Sequence, residues 1–396
     1  MPGNLNQIRL NNAELRVSVT HSLSDVPAAA WDSLGDTSYP FTRHCFLYGL
    51  EQHDCLEPFG WYPVYFLVHR QQSLIAASPC YIKTNSYGEL VFDHAWVNAY
   101  QRSGLDYYPK LVTAIPYTPA TGERFLIDLG NINEASERLQ LRELLCRAIK
   151  GFCDDQKMSS WHILFAEKPV LDQLSGQDLL LRNDVQFHWN NDSYRDFDDF
   201  LSRLSSRKRK NIKRERRSVA AEGLDISMQN GACHDADEWQ QIHDLYAGIY
   251  ARKYGTATLT AGFFKHLGEH MPEQVLVATA RDQGRIVAAS LFFRSDTHLY
   301  GRIWGCDQYF RQLHFECCYY QGIDYCIAEG LTCFDPGAQG EHKLARGFLP
   351  TQTWSAHWIA NPQFREAIEQ FLQQERSFVD GYRDDLLDHS PFKSTQ

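Results

Sequence analysis

No apolar run in this chain reaches the roughly 18 residues that a membrane-crossing helix needs. Its eleven cysteines are odd in number, irregular in spacing and without a Cys-x-x-Cys pair. They suggest neither a disulfide frame nor a zinc cluster. Sixteen histidines are scattered without metal-ligand spacing, so no metal site is expected. Residues 1–7 are polar and lack a signal-peptide pattern, which with the cysteine usage predicts a cytoplasmic protein without membrane insertion. Positive charge is concentrated in one place. Residues 203–217 hold nine basic residues and one acid, net +8, leaving −18 for the rest of a chain whose total is −10. That balance excludes a general nucleic-acid coat but allows one local anion site.

What is present is a duplication. Ile75-Ala76-Ala77-Ser78 is echoed by Val287-Ala288-Ala289-Ser290 at an offset of 212, and Tyr87-Gly88 by Tyr300-Gly301 at 213. Each Ala-Ala-Ser follows an apolar run and a polar turn. A period near half the chain means two copies of one domain rather than a solenoid, and 396 residues suffice for two cores.

Element order supports this. In the first half, 15–20 alternates as a strand, 134–155 is helical, and 161–165 is a strand. In the second, 224–228 is a strand, a helix runs from 234 to about Tyr254, 314–329 is helical and 331–335 is a strand. The fold class is α/β of mixed α+β character, each copy a mixed, largely antiparallel sheet flanked by helices. The first copy carries a Tyr/Pro-rich insertion at 95–130. The second is followed by a helix whose stripe of Phe364, Ile368, Phe371, Leu372, Phe378 and Tyr382 is read as a packing face, capped by Asn361. The join falls near 181–191.

Two stretches carry a resemblance. Arg207-Lys208-Arg209-Lys210, with Lys213, Arg216, Arg217 and then Gly223-Leu224, is similar to the basic helix that opens the second domain of Fem-type aminoacyltransferases. Phe334-Asp335-Pro336-Gly337, continuing through Gly340-Glu341-His342-Lys343 to Arg346-Gly347-Phe348, resembles their Phe-Asp-x-Gly-Gly … Phe-Lys-x-x-Phe-Gly segment. From about His21 to Phe392 the chain resembles the FemAB-like branch of the GNAT acyltransferases, catalogued as peptidoglycan biosynthesis or recognition proteins. The resemblance implies two tandem GNAT-like domains, 10–185 and 186–360, with 361–390 as the packing helix. It implies an acyltransferase or aminoacyltransferase moving an activated acyl group onto a small-molecule or peptide amine, without metal or covalent intermediate. Acyl-CoA or aminoacyl-tRNA would be co-substrate and nothing would be tightly bound. The Gly-rich pyrophosphate pattern of acetyl-CoA sites is absent at Arg311–Glu316 and incomplete at residues 101–106, so the donor stays open, as does the oligomeric state. The alternative is a non-catalytic ligand- or RNA-binding protein on the same duplicated fold.

Site residues follow from this frame, on a site built mostly on the second copy. Strand ends of α/β sheets are where ligands sit, and Asp335 ends a strand. Acyl transfer to an amine needs a proton removed and an oxyanion stabilised. Glu341 or His342 could do the first; Lys343 could do the second or bind donor phosphate. Asp335, Glu341, His342 and Lys343 are the catalytic candidates. Arg346, Tyr108, Lys110, His314, Glu316 and Asp93 are candidates for substrate binding, although Glu316 equally suits a helix dipole and Asp93 a buried hydrogen-bonded pair. Gly337 and Gly340, with Arg207, Lys210 and Arg214 on one helical face, are candidates for holding the donor's phosphates.

Overall fold

The computed structural model describes residues 3–10, 13–252, 255–338 and 340–393. The chain divides into two compact units, residues 1–184 with 352–380 and residues 185–351 with 381–396.

The first unit holds strands β1 (Gly3–Leu10), β2 (Ala13–Thr20), β3 (Trp61–Arg70), β4 (Ser73–Lys83), β5 (Lys110–Thr113), β6 (Leu126–Ile127) and β7 (Ser160–Leu164). Their order is β1-β2-β3-β4-β5-β7, with β6 also paired to β4. All pairs are antiparallel except β5 with β7. Residues of β4 are buried almost throughout, as strands covered on both faces must be. The helix Ala135–Asp155 supplies Leu141, Leu144, Leu145 and Ile149 to the same core.

The second unit holds β8 (Leu180–Asn190, from Val185 on), β9 (Asp225–Asn230), β10 (Val275–Asp282), β11 (Arg285–Arg294), β12 (His298–Cys306) and β13 (Cys333–Asp335), in the order β8-β13-β12-β11-β10-β9. Again one pair is parallel, β12 with β13.

The repeat is exact in register where the Ala-Ala-Ser motifs lie. Hairpins β3–β4 and β10–β11 each carry a bulge one residue before the turn strand ends, at Val68/His69 and Ala280/Arg281. Both turns use a glutamine with positive φ, Gln71 and Gln283. These positions all differ by 212. The Tyr-Gly pair is not equivalent. Tyr300-Gly301 lies inside β12, whereas Tyr87-Gly88 lies in the connection after β4. The strand that matches β12 is split in the first unit. β5 pairs with Cys80–Lys83 and β6 with Ala76–Ala77, covering together the edge that β12 covers alone. The expected insertion 95–130 therefore contains sheet. It is an excursion before β5 and a second one, residues 114–125, that interrupts a strand.

Two further expectations change. β14 (Leu349–Ile359) pairs Ser355–Ile359 with β7, so residues 352–360, assigned by sequence to the second domain, belong to the first unit. The C-terminal helix Pro362–Asp388 packs Phe364, Ile368 and Leu372 on Trp96, Tyr100 and Tyr107, and Asn361 caps it at 2.9 Å from the Gln363 N–H. Phe371 and Phe378 face away, Phe378 at 75% exposure. The helix drifts relative to a fixed stripe over seven turns. Tyr254, the expected end of the helix Ala236–Arg252, lies outside the described residues.

Candidate functional site

Asp335 ends β13, where Tyr300 of β12 is its register partner. Its Oδ1 accepts the Gly337 N–H at 2.8 Å, which starts a tight turn. Gly337 has φ +87, and a side chain there would press on the Gly301 carbonyl, so the turn needs glycine to approach β12. The 3-10 helix Glu341–Arg346 follows and ends at Gly347, φ +94.

Lys343 points back into this turn. Its Nζ donates to the carbonyls of Gly337 at 2.6 Å and Ala338 at 3.2 Å. It is 2% exposed. Burial, only partly offset by Asp335, pushes the ammonium down to about 8. Lys343 thus clamps the loop, giving two of its three donors to protein carbonyls. Glu341 is exposed and accepts the Tyr382 hydroxyl at 2.7 Å. Asp335 also faces His188 at 3.7 Å.

His342 is the exposed one of the central pair, and its Nε2 meets the Tyr319 hydroxyl at 2.9 Å. A β-carbon on Gly340 would sit 2.4 Å from Cε1 of this imidazole, so Gly340 leaves the ring its place. Burial, with Arg346 and Lys343 nearby, lowers the pKa of His342. His314, 6.4 Å away ring to ring, is driven down to about 4, by burial first and then by His342, Arg346 and Lys343. Both surroundings favour the neutral imidazole. Trp304, Phe315 and Tyr319 wall them in.

Arg346 lies close to both imidazoles. Its guanidinium sits 3.4 Å from the Phe315 ring centre and donates to the His342 carbonyl (2.8 Å), the Tyr320 hydroxyl (3.1 Å) and Glu215 (2.9 Å). Tyr319 and Tyr320 close a π-helical stretch, Glu316–Tyr320. Such local widening is frequent at functional sites. Here it sends one tyrosine to His342 and the next to Arg346. Glu316 is buried and paired with Arg216 at 2.9 Å, a structural role.

The basic segment is two helices, Phe197–Arg203 and Ser206–Ala220. Arg203 therefore stands apart from the helix that carries the other basic residues of 203–217, because the chain breaks at Leu204, which bridges to Phe392. Arg207, Lys210 and Arg214 are exposed on the second helix. Its ion pairs are made by Lys213, Glu215 and Arg216; among the described residues none involves Arg207, Lys210 or Arg214.

Asp93, Lys110 and Tyr108 are elsewhere, in the first unit. Lys110 is 0% exposed and bonded to Glu89 at 2.7 Å, to Asp93 and to Ser86 at 3.0 Å. The Tyr108 hydroxyl meets Ser86 at 2.7 Å. Tyr107 donates to Asp93 at 2.7 Å and reaches His162 at 3.2 Å, whose Nδ1 meets that of His357 at 2.7 Å. By register His162 is the counterpart of Asp335: it pairs with Val112 of β5 as Asp335 pairs with Tyr300 of β12. The first copy of the strand-end site is filled by its own side chains, leaving Asp93 and Lys110 no surface for a substrate.

That filling makes a pH prediction. Burial holds His162 and His357 well below the usual imidazole range, with Lys110 and Arg182 adding to it at His162. Both stay neutral when folded but charge freely when unfolded. The stability they permit is complete above about pH 6.5 and falls as pH drops from there toward the folded values, each imidazole contributing a slope of about 1.4 kcal/mol per pH unit. Urea unfolding at pH 7.5, 6.5 and 5.5 should show the fall, and it should be shallower in His357→Gln. Equal slopes in the two proteins would refute the assignment.

The sequence profile of the FemAB-like family, described as peptidoglycan biosynthesis/recognition, matches residues 22–394. The chain belongs to the FemAB-like family. No curated protein matches this FemAB-like chain in sequence. Among solved structures it is similar to FemX, with 11% identity, 89% of this chain and 99% of that one covered, and a TM-score of 0.51. That likeness shows a shared mixed α/β fold. A tandem GNAT protein from the clavulanic acid biosynthesis pathway aligns at 9% identity over 88% and 99% of the two chains, TM-score 0.45. L-PGS from Bacillus licheniformis aligns at 9% over 75% and 86%, TM-score 0.46. Among the described residues of this FemAB-like protein, no three His, Cys, Asp or Glu side chains gather to hold a metal, and no helix is long and apolar enough to cross a membrane.

Sequence reasoning missed Tyr319, Tyr320, Trp304, Phe315 and Glu215. Glu215 alone left a signal. It is the one acid in the basic run, and its i±3 and i±4 neighbours, Asn211, Ile212, Ser218 and Val219, include no cation to pair with.

Proposed function

We propose that this protein transfers an activated acyl or aminoacyl group onto a peptide amine of peptidoglycan type, with His342 as the base. One observation carries the reading: an exposed imidazole beyond a strand end, bonded to the Tyr319 hydroxyl, with a buried arginine fixed on its own backbone carbonyl. In the tautomer whose Nε2–H donates to the Tyr319 hydroxyl, Nδ1 keeps a lone pair free to take the proton that the neutral acceptor amine loses as it attacks the acyl carbon. Burial first, and then the nearby cations Arg346 and Lys343, disfavour imidazolium and so favour His342 as a base. The family description supports the peptidoglycan connection. Eleven free cysteines suit a reducing, cytoplasmic compartment.

The donor would be aminoacyl-tRNA or acyl-CoA, its phosphates met by Arg207, Lys210 and Arg214. Neutralising all three to Gln should weaken donor binding by at least several-fold and flatten its salt dependence by about two to three units of slope. The fold should persist, since Ile212 and Val219 still bury the other face. Filter binding across a salt series measures this; unchanged affinity at every salt concentration would remove the helix from the reaction.

A second reading, recognition without turnover, is favoured by the engagement of Lys343 and Arg346 on protein acceptors. Incubating the protein with labelled aminoacyl-tRNA or acyl-CoA and a lysine-bearing muropeptide decides between them. Label on the peptide supports transfer; donor and peptide binding with no label on the peptide supports recognition.

A further inference from the structure

We propose that Glu215 is a positioning residue that makes the basic helix and the His342 turn one mechanical unit. The inference rests on reading the turn as the transfer site and adds how the donor-facing helix is registered to it.

Glu215 is directed inward, its side chain 14% exposed. Its two oxygens take two different partners, Arg346 at 2.9 Å and the Tyr320 hydroxyl. Those partners also bond each other at 3.1 Å, closing a triangle. Arg346 then holds the His342 carbonyl at 2.8 Å. The next residue, Arg216, grips the start of the π-helical stretch and the helix after it through Glu316 (2.9 Å) and Asp324 (2.8 Å), while lying over the Phe197 ring at 4.4 Å. Two consecutive residues thus tie one helix to the two elements that carry His342, Tyr319 and Tyr320, and to the helix that follows them. On the opposite face, Arg207, Lys210 and Arg214 remain exposed to receive an anion. A rigid helix is a lever: what its outer face binds is held at a fixed distance from what its inner face grips. Charge-assisted, mostly buried bonds suit that task better than exposed pairs, which are weak and mobile.

The test needs no knowledge of the natural donor. Diethyl pyrocarbonate acylates neutral imidazoles, and its rate at His342 can be followed peptide by peptide by mass spectrometry. Glu215→Ala should raise the rate at His342 several-fold with His21, in the first unit, unchanged. Glu215→Gln, which keeps one acceptor, should fall between. Arg346→Met should raise it too, and Glu215→Ala should add nothing in that background, because both act through one bond. If Glu215→Ala and Glu215→Gln both leave His342 at the parent rate, or if the Glu215 and Arg346 effects multiply, the proposal is overturned. A second arm adds inorganic tripolyphosphate as the anion. It should bind parent and Glu215→Ala equally by calorimetry, yet alter His342 reactivity only in the parent. An equal change in both would overturn the coupling. No tripolyphosphate binding at all would count against the phosphate role of the helix, while the ligand-free rates still decide the role of Glu215.

Discussion

His342→Gln should lower the transfer rate by about 10²–10⁴-fold, the range a positioned general base supplies. Gln keeps the size and one hydrogen bond of the ring but cannot take a proton. Tyr319 loses at most its partner at 2.9 Å, and the rest of the turn is held independently by Lys343 on the Gly337 and Ala338 carbonyls. Stability should therefore change little, because His342 is exposed. Acceptor binding should survive, so the loss should fall on turnover rather than on KM. Steady-state kinetics with saturating donor measures it. A variant that transfers within threefold of the parent would exclude His342 as base and return the role to Glu341, whose exposed carboxylate is the remaining candidate.

Lys110→Met should be the most destabilising single change in the first unit, at about 3–5 kcal/mol, the cost of removing one partner from a buried ion pair. Lys110 pairs with two acids at once and is fully buried. Glu89 already lies at about 7, raised by burial, although Lys110 opposes the rise. Without the ammonium, both acids face a low-dielectric interior with one oxygen each already lacking a partner. Lys83 offers no substitute: burial lowers it to about 7, and it is engaged over the Trp61 ring and on the Tyr87 carbonyl. Adding Glu89→Gln and Asp93→Asn to Lys110→Met should recover part of the loss, since a neutral polar cluster avoids the stranded charge. Denaturant unfolding of the three proteins at pH 7.5 checks this. A Lys110→Met variant within 1 kcal/mol of the parent would show that the cluster tolerates an unpaired acid.

What was legible in the sequence follows the reach of local pattern. The β3–β4 and β10–β11 hairpins could be read because strand alternation, polar turn and Ala-Ala-Ser motif repeat together at one offset. β5 and β6 could not. Strands of four and two residues, buried on both faces, leave no period to detect, so Tyr87-Gly88 was matched to Tyr300-Gly301 by residue type alone. The Asp335–Phe348 turn was recognisable from its glycines and charges. The role of Lys343 was not, because its partners are backbone carbonyls that any residues at 337 and 338 would provide. Tyr319 and Tyr320 stayed hidden since a one-residue π offset leaves helical spacing intact in the sequence. Asp93 looked like a site residue because it is charged and follows a strand, and Lys110 because it lies in the Tyr/Pro-rich insertion; their mutual burial depends on Glu89, Tyr107 and the split strand folding over them.

The central claim, that His342 is the base, is tested most directly by the pH dependence of transfer in the parent and in His342→Gln. The informative quantity is the ratio of the two rates, because protonation of the acceptor amine affects both alike and cancels. His342 works when neutral, and burial with Arg346 and Lys343 holds its pKa below the usual 6.5. If His342 is the base, the ratio is large and constant well above its lowered pKa and declines as pH falls through it. A ratio that is independent of pH, or close to one throughout, would contradict it.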